Sequence, residues 1–224
     1  MSGESDLVTL LTGLLVKHRM PGVGQRPYDL TLGALRQPPS DRFMDIGFVM
    51  WREVQGGPIQ IYPYRCVTSP GLAAIQNPTH PRGVFSMLDD NRTPKLWRLG
   101  YHKQSTAGTS RPGLVQDGNA IVRGYRDNDR DNVFERLLPA NDAKGINHHD
   151  GMDDRRMLSQ AVGRNSEGCR VTSKLHIGKV RTLLALQASH GLGELVSDHL
   201  FSTVTNPEVR PIFDHLGIPW KLAA

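Results

Sequence analysis

Cys169 is the residue of this chain whose surroundings in sequence best suit it to chemistry. It closes the run Ser166-Glu167-Gly168-Cys169. A turn of small residues before a cysteine leaves backbone N–H groups near Gly168 and Cys169 free to point at one spot. Such a spot can stabilise an oxyanion. A thiol becomes a useful nucleophile only when a base or a positive field holds its thiolate. His149 lies upstream, in the short strand-like piece Gly145–His149. Two adjacent strands would bring it beside Cys169. The natural chemistry is thiol attack on a carbonyl, with the imidazole taking and returning the proton. A buried cysteine that serves only as a small hydrophobe is the plain alternative.

Other residues offer other chemistry. His148, His149, Asp150 and Cys169 contain the donor types of a zinc set, but adjacent residues on an extended segment point to opposite faces. Both histidines therefore fit one ion poorly. Asp127, Asp129, Asp131 and Glu135 stand at positions 1, 3, 5 and 9 of a polar loop. Oxygen ligands at alternate loop positions could converge on Ca²⁺. Leu138 at the twelfth position excludes an EF-hand, and a solvated acidic turn stays open beside the metal reading. Arg123 and Arg126 flank Tyr125 and could hold a carboxylate, as arginine does in bidentate pairs. Cys66 lies in a predicted strand with no histidine nearby and is expected to be structural.

The elements that must position these groups are legible as periodicity. Leu7, Leu10, Leu11, Leu14 and Leu15 fall at helical spacing and predict a helix over residues 5–19. Residues 20–42 read as loop, with one short helical turn near Thr31–Leu35. Met44–Arg52 and Ile59–Thr68 flank Gly56-Gly57-Pro58 and predict a hairpin. Leu96–Lys103 and Ala120–Arg126 are further strand candidates, with a polar loop over Ser105–Pro112 between them. Lys174–Ser189 predicts an amphipathic helix. Leu192–Val204 reads as a helix, or as a helix running into a strand. Pro207–Ala224 reads as a loosely docked end.

The whole chain has 224 residues, 38% hydrophobic and 22% charged, with 23 glycines and 15 prolines. That is enough for one core and favours turns and strands over a helical bundle. The formal net charge is +5, but it is scattered and lacks a basic stripe with interleaved aromatics. Nucleic acid is therefore not an expected partner. No apolar run reaches the roughly 18 residues of a membrane helix, so membrane insertion is not expected. The apolar stretch Leu7–Val16 follows Glu4 and Asp6 rather than a basic segment and reads as a helix, not a signal peptide. Two cysteines cannot make a disulfide framework.

His149, a spacer and Ser166-Glu167-Gly168-Cys169 resemble the active-site signature of the L,D-transpeptidase (YkuD-type) catalytic domain. A family of bacteriophage proteins resembles the chain more closely, through four pieces: Tyr125-Arg126-Asp127, Asn128–Asn132, Gly145-Ile146-Asn147-His148-His149 and Val162–Cys169. The likeness spans roughly residues 28–205 and is densest over about 120–172. It implies an α+β, β-rich fold, a mixed β-sheet or sandwich with helices at the N- and C-terminal ends. Residues 1–40 would be an N-terminal helix and linker, 41–205 the catalytic domain and 206–224 a C-terminal tail. Cys169 would be the nucleophile and His149 the general base. Gly168 would join the oxyanion hole and Ser166 would brace the turn. Arg170, Arg126, Arg123 and His148 would contact substrate.

The activity implied is cleavage or transpeptidation of peptidoglycan stem peptides through a thioester, with no cofactor required. The protein would be made in the host cytoplasm. It would act at the cell wall after lysis release, or travel in the virion with other virion proteins. The chain departs from the pattern at Glu167, where histidine is usual, and at Arg170, where an apolar residue is usual. Glu167 would raise the thiol pKa and Arg170 would lower it. A non-catalytic virion, tail or cell-wall-binding role on the same fold is the alternative.

Overall fold

The computed structural model describes residues 2–37, 42–88, 96–103, 110–118, 120–131, 134, 141–153, 161–163, 166–202 and 207–216. The fold is α+β and β-rich, built on a curled eight-stranded sheet. Its strands are β1 (Thr31–Arg36), β2 (Asp45–Arg52), β3 (Ile59–Val67), β5 (Trp97–Lys103), β6 (Ser110–Gln116), β9 (His148–Met152), β10 (Arg170–Ser173) and β11 (Asp198–Ser202). They run in the order β11-β1-β2-β3-β10-β9-β6-β5. The β1–β11 and β9–β10 pairs are parallel and the others antiparallel. A second sheet pairs β4 (Val84–Met87), β7 (Val122–Asp127) and β8 (Asn141–Ala143), with β7 in the middle. The short helix α2 (Leu72–Gln76) lies between β3 and β4 in the chain.

Both faces of the large sheet are covered, which explains why β2 reads as a nearly continuous apolar run. Its residues still alternate. Ile46, Phe48 and Met50 join one core with Leu7, Leu11, Leu14 and Leu15 of helix α1 (Ser2–Lys17). Val49 and Trp51 join the other, with Val180, Leu183 and Leu184 of helix α3 (Lys174–Ser189) and with Phe85, Met87 and Val122 of the small sheet. Each fully buried leucine or phenylalanine contributes about 1.5–3 kcal/mol. Helix α3 starts where Ser173 Oγ accepts the His176 N–H at 3.3 Å. Ser173 is thus an N-cap at the very end of β10.

The hairpin over β2 and β3 and helix α3 agree with their expected bounds. Elsewhere the structure departs from the sequence reading. Residues 31–36 form β1, between β11 and β2, where a helical turn in a linker is expected. Leucine, alanine and arginine in TLGALR favour a helix locally, and only two long-range pairings make it a strand. Strand β6 begins at Ser110, inside the expected loop. Among the described residues of 192–204 the regular element is β11, a strand. Residues 207–216 are docked: a 3-10 turn at Pro207–Val209 and helix α4 (Arg210–His215) place Val209, Ile212 and Phe213 in the α1 core, and the rest of the expected tail lies outside the described residues. Lys17 pairs with Glu208 across that junction. Among the described residues, no helix is long and apolar enough to cross a membrane.

Candidate functional site

The parallel pair β9–β10 builds the site. Arg170 stands opposite His148 and Val171 opposite His149. Alternation sends His148 and Arg170 to one face, and His149 and Cys169 to the other. The sequence names His149 as the base, and this register puts His149 rather than His148 on the side of the thiol. Sγ of Cys169 and a ring nitrogen each of His149 and His102 lie within 4.8 Å of one another.

His102 comes from β5, two strands from His149. On β6, Gly113 pairs with His149, so no side chain intervenes there. The two imidazoles stack with centroids 4.1 Å apart and planes 5° from parallel. A Cβ on Gly113 would lie 2.3 Å from the His148 carbonyl oxygen, so that position accepts glycine only.

The turn before Cys169 is held from several sides. Ser166 Oγ donates to the Cys169 carbonyl at 2.8 Å and accepts the Gly168 N–H at 3.3 Å. Ser166 thus braces the turn, while the Gly168 N–H is already engaged. Gly168 has φ +146°, and a Cβ there would lie 2.9 Å from the Phe85 carbonyl oxygen. A side chain there would be strained. The Glu167 carbonyl accepts the Phe85 N–H at 3.0 Å, tying the turn to the small sheet. The Glu167 carboxylate is held by the Thr79 hydroxyl.

Asn147 stands in the Gly145–His149 motif but is given no role by the sequence reading; in the structure it is the hub of the site. Its N–H donates to Cys169 Sγ at 3.4 Å, and its carbonyl accepts the Arg170 N–H at 2.9 Å. Its side-chain Oδ1 accepts the Gln116 N–H at 3.0 Å, and its Nδ2 lies 2.9 Å from His102 Nδ1. Neither Asn147 nor His102 is marked locally for these roles. Asn147 meets partners from β5 and β6 as well as Cys169 and Arg170, and His102 meets Asn147 and His149.

Burial pushes the Cys169 thiol up to about 11; Glu167 adds to the rise and the Asn147 N–H opposes it. Burial likewise pushes His149 down to about 3, helped by His102 and opposed by its hydrogen bond to the Asp150 carbonyl. The resting pair is a neutral thiol beside a neutral imidazole. His149 Nδ1 lies 2.7 Å from the Asp150 carbonyl oxygen. A carbonyl only accepts, so Nδ1 carries the proton and Nε2 the lone pair.

The remaining candidates lie elsewhere or are already engaged. Arg170, expected to contact substrate, is buried on the opposite face, 2.7 Å from Asp198 Oδ2, and donates to the Gly33 carbonyl at 3.2 Å. His148 is on that face too, with Nε2 3.2 Å from the same carboxylate oxygen and its ring against Trp97. Neither is placed to meet a substrate at Cys169. Arg126 is buried over the Phe85 ring and donates to the Gly83 carbonyl at 2.8 Å. Arg123 is exposed. It stands on the other face of β7, so the two arginines do not form one clamp. Cys66 is fully buried in the core.

Two groups of donors suggest metals. Asp127, Asp129 and Asp131 bring carboxylate oxygens within 4.8 Å of one another, and Asp127 Oδ1 accepts the Arg130 N–H at 2.7 Å. Glu135 lies outside the described residues. In the His102–His149–Cys169 group the parallel rings work against an ion. A zinc ion sits about 2.0–2.1 Å from each nitrogen, along an in-plane lone pair, and the lone pairs of stacked rings run side by side rather than converge.

Burial lowers the pKa of His148, His149, His102 and His199 below the ordinary histidine value. The unfolded chain binds their protons near pH 6.5, more readily than the fold does. Stability is therefore full above about pH 6.5 and falls as the pH drops below it. Urea midpoints at pH 7.5 and 5.5 should show the lower value at pH 5.5; equal midpoints would contradict the neutral burial of these rings.

Comparison with protein-family models, with curated proteins and with solved structures finds no match for the chain.

Proposed function

We propose that this chain is a cysteine-dependent acyl-transfer enzyme that acts on peptidoglycan stem peptides, in the manner of an L,D-transpeptidase-like phage protein. The observation that carries the reading is the Cys169–His149 pair, with its tautomer fixed by the Asp150 carbonyl. The third group that orients the base is a recurring part of thiol and hydroxyl nucleophile sites.

The thiol proton passes to His149 Nε2 as Sγ attacks a peptide carbonyl. The C–N bond then breaks, the amine leaves with that proton, and a thioester remains on Cys169. Water resolves it by hydrolysis, and an amine resolves it by transpeptidation. The substrate class rests on the resemblance of the His149 and Ser166–Cys169 motifs. Release from a phage-infected host or carriage in a virion would bring the enzyme to the wall.

A second reading, a wall-binding protein without catalysis, draws support from the thiol held protonated and from Glu167 beside it. Incubation with purified muropeptides separates the two. New peptide products from the wild type that disappear with Cys169→Ala are expected. Binding to intact sacculi without products, unchanged in Cys169→Ala, would favour the second reading.

A further inference from the structure

His149 and His102 hold opposite tautomers. The Asp150 carbonyl accepts a hydrogen bond from His149 Nδ1–H and leaves Nε2 as a base. The Asn147 amide is oriented by the Gln116 N–H, which binds its Oδ1, so its NH₂ faces His102. His102 Nδ1 then accepts from Asn147 Nδ2. A neutral imidazole has one N–H, so the His102 proton sits on Nε2. Burial, then Arg111, lower the pKa of His102, so the ring is neutral at ordinary pH. The site therefore contains one imidazole built to take a proton and a second, stacked on it, built to offer a hydrogen bond.

The site also needs a donor. Thiol attack on a carbonyl moves the C=O π electrons onto oxygen, and that negative charge requires positioned N–H groups. The Gly168 N–H, one of the two expected contributors from the turn beside that of Cys169, is engaged by Ser166 Oγ. The Asn147 N–H points at the sulfur itself. His102, with a ring nitrogen within 4.8 Å of Sγ, is the side chain at hand.

We infer that His102 is a catalytic residue of this site: its Nε2–H donates to the carbonyl oxygen of the acyl group under attack, and Asn147 fixes the tautomer that makes this possible. The proton stays on His102 throughout. The C–S bond forms, the oxygen takes the electron pair, and the leaving group departs as the carbonyl reforms. This rests on the acyl-transfer reading of Cys169.

Two thiol reactions separate the role from a structural one. Acetylation by p-nitrophenyl acetate passes through an oxyanion; alkylation by iodoacetamide does not. Both are followed at Cys169 by peptide mapping in folded wild type, His102→Ala and His102→Gln. Acetylation of His102→Ala should fall by about 10²–10³-fold, with alkylation within about twofold of wild type. His102→Gln, which keeps an N–H donor, should recover part of the loss. An equal fall in both reactions, or no fall in acetylation, would overturn the role while leaving the nucleophile intact. Wild type that is alkylated but never acetylated would overturn the acyl-transfer reading, and this inference with it.

Discussion

Asp198→Ala should destabilise the fold by about 3–5 kcal/mol, the usual cost of stranding one partner of a buried ion pair. Asp198 is fully buried and ionised. Burial opposes its charge, but Arg170 and then His148 hold its pKa below the ordinary carboxylate value. Arg170 is almost as buried and has Asp198 as its charged partner at 2.7 Å. Removing the carboxylate leaves a guanidinium in the core between β10 and β11, still donating to the Gly33 carbonyl but with no counter-charge. Urea unfolding at pH 7.5 measures the loss. A change below about 1 kcal/mol would mean that water or another acid compensates the charge. The pair also supports the site indirectly, because the backbone N–H of Arg170 bonds Asn147, which bonds the thiol.

His149→Ala should lower acyl transfer by about 10²–10⁴-fold near neutral pH, and its pH profile should change shape. With the thiol pKa near 11, about one thiol in 10⁴ is ionised at pH 7. The wild type escapes this limit because His149, neutral above about pH 3, takes the proton during attack. Its acylation rate should be nearly flat from about pH 6.5 to 9. Without the imidazole the rate should climb about tenfold per pH unit, as hydroxide supplies the thiolate. Initial rates of Cys169 acetylation across that range test this. Parallel profiles for wild type and variant would show that His149 is not the base.

The Cys169–His149 pairing was legible because His149 lies on β9 and Cys169 immediately precedes β10, its neighbour in a parallel pair. Alternation along β9 then decides between His148 and His149 once the register is known. It misled at Arg170, which follows the nucleophile in sequence and is turned to the opposite face, toward Asp198 on β11. His102 had no signal at all: it reaches the site across β6, over a glycine. Strand β1 was hidden by its helix-favouring residues, and helix α4 by its proline and short length. The unbroken apolar run of β2 and the leucine spacing of α1 show the contrary case. There the local pattern itself marks the buried positions, and the elements are plain in the sequence.

The most direct measurement is to trap the acyl-enzyme. The protein would be mixed with muropeptides carrying stem tetrapeptides, quenched in acid within the first turnover, digested and mapped by mass spectrometry. A stem-peptide thioester on Cys169, none on the buried Cys66, and none on Cys169 in His149→Ala is the predicted result. Peptide products formed with no adduct at Cys169, or an unmodified Cys169 in folded protein with every stem peptide offered, would contradict the account.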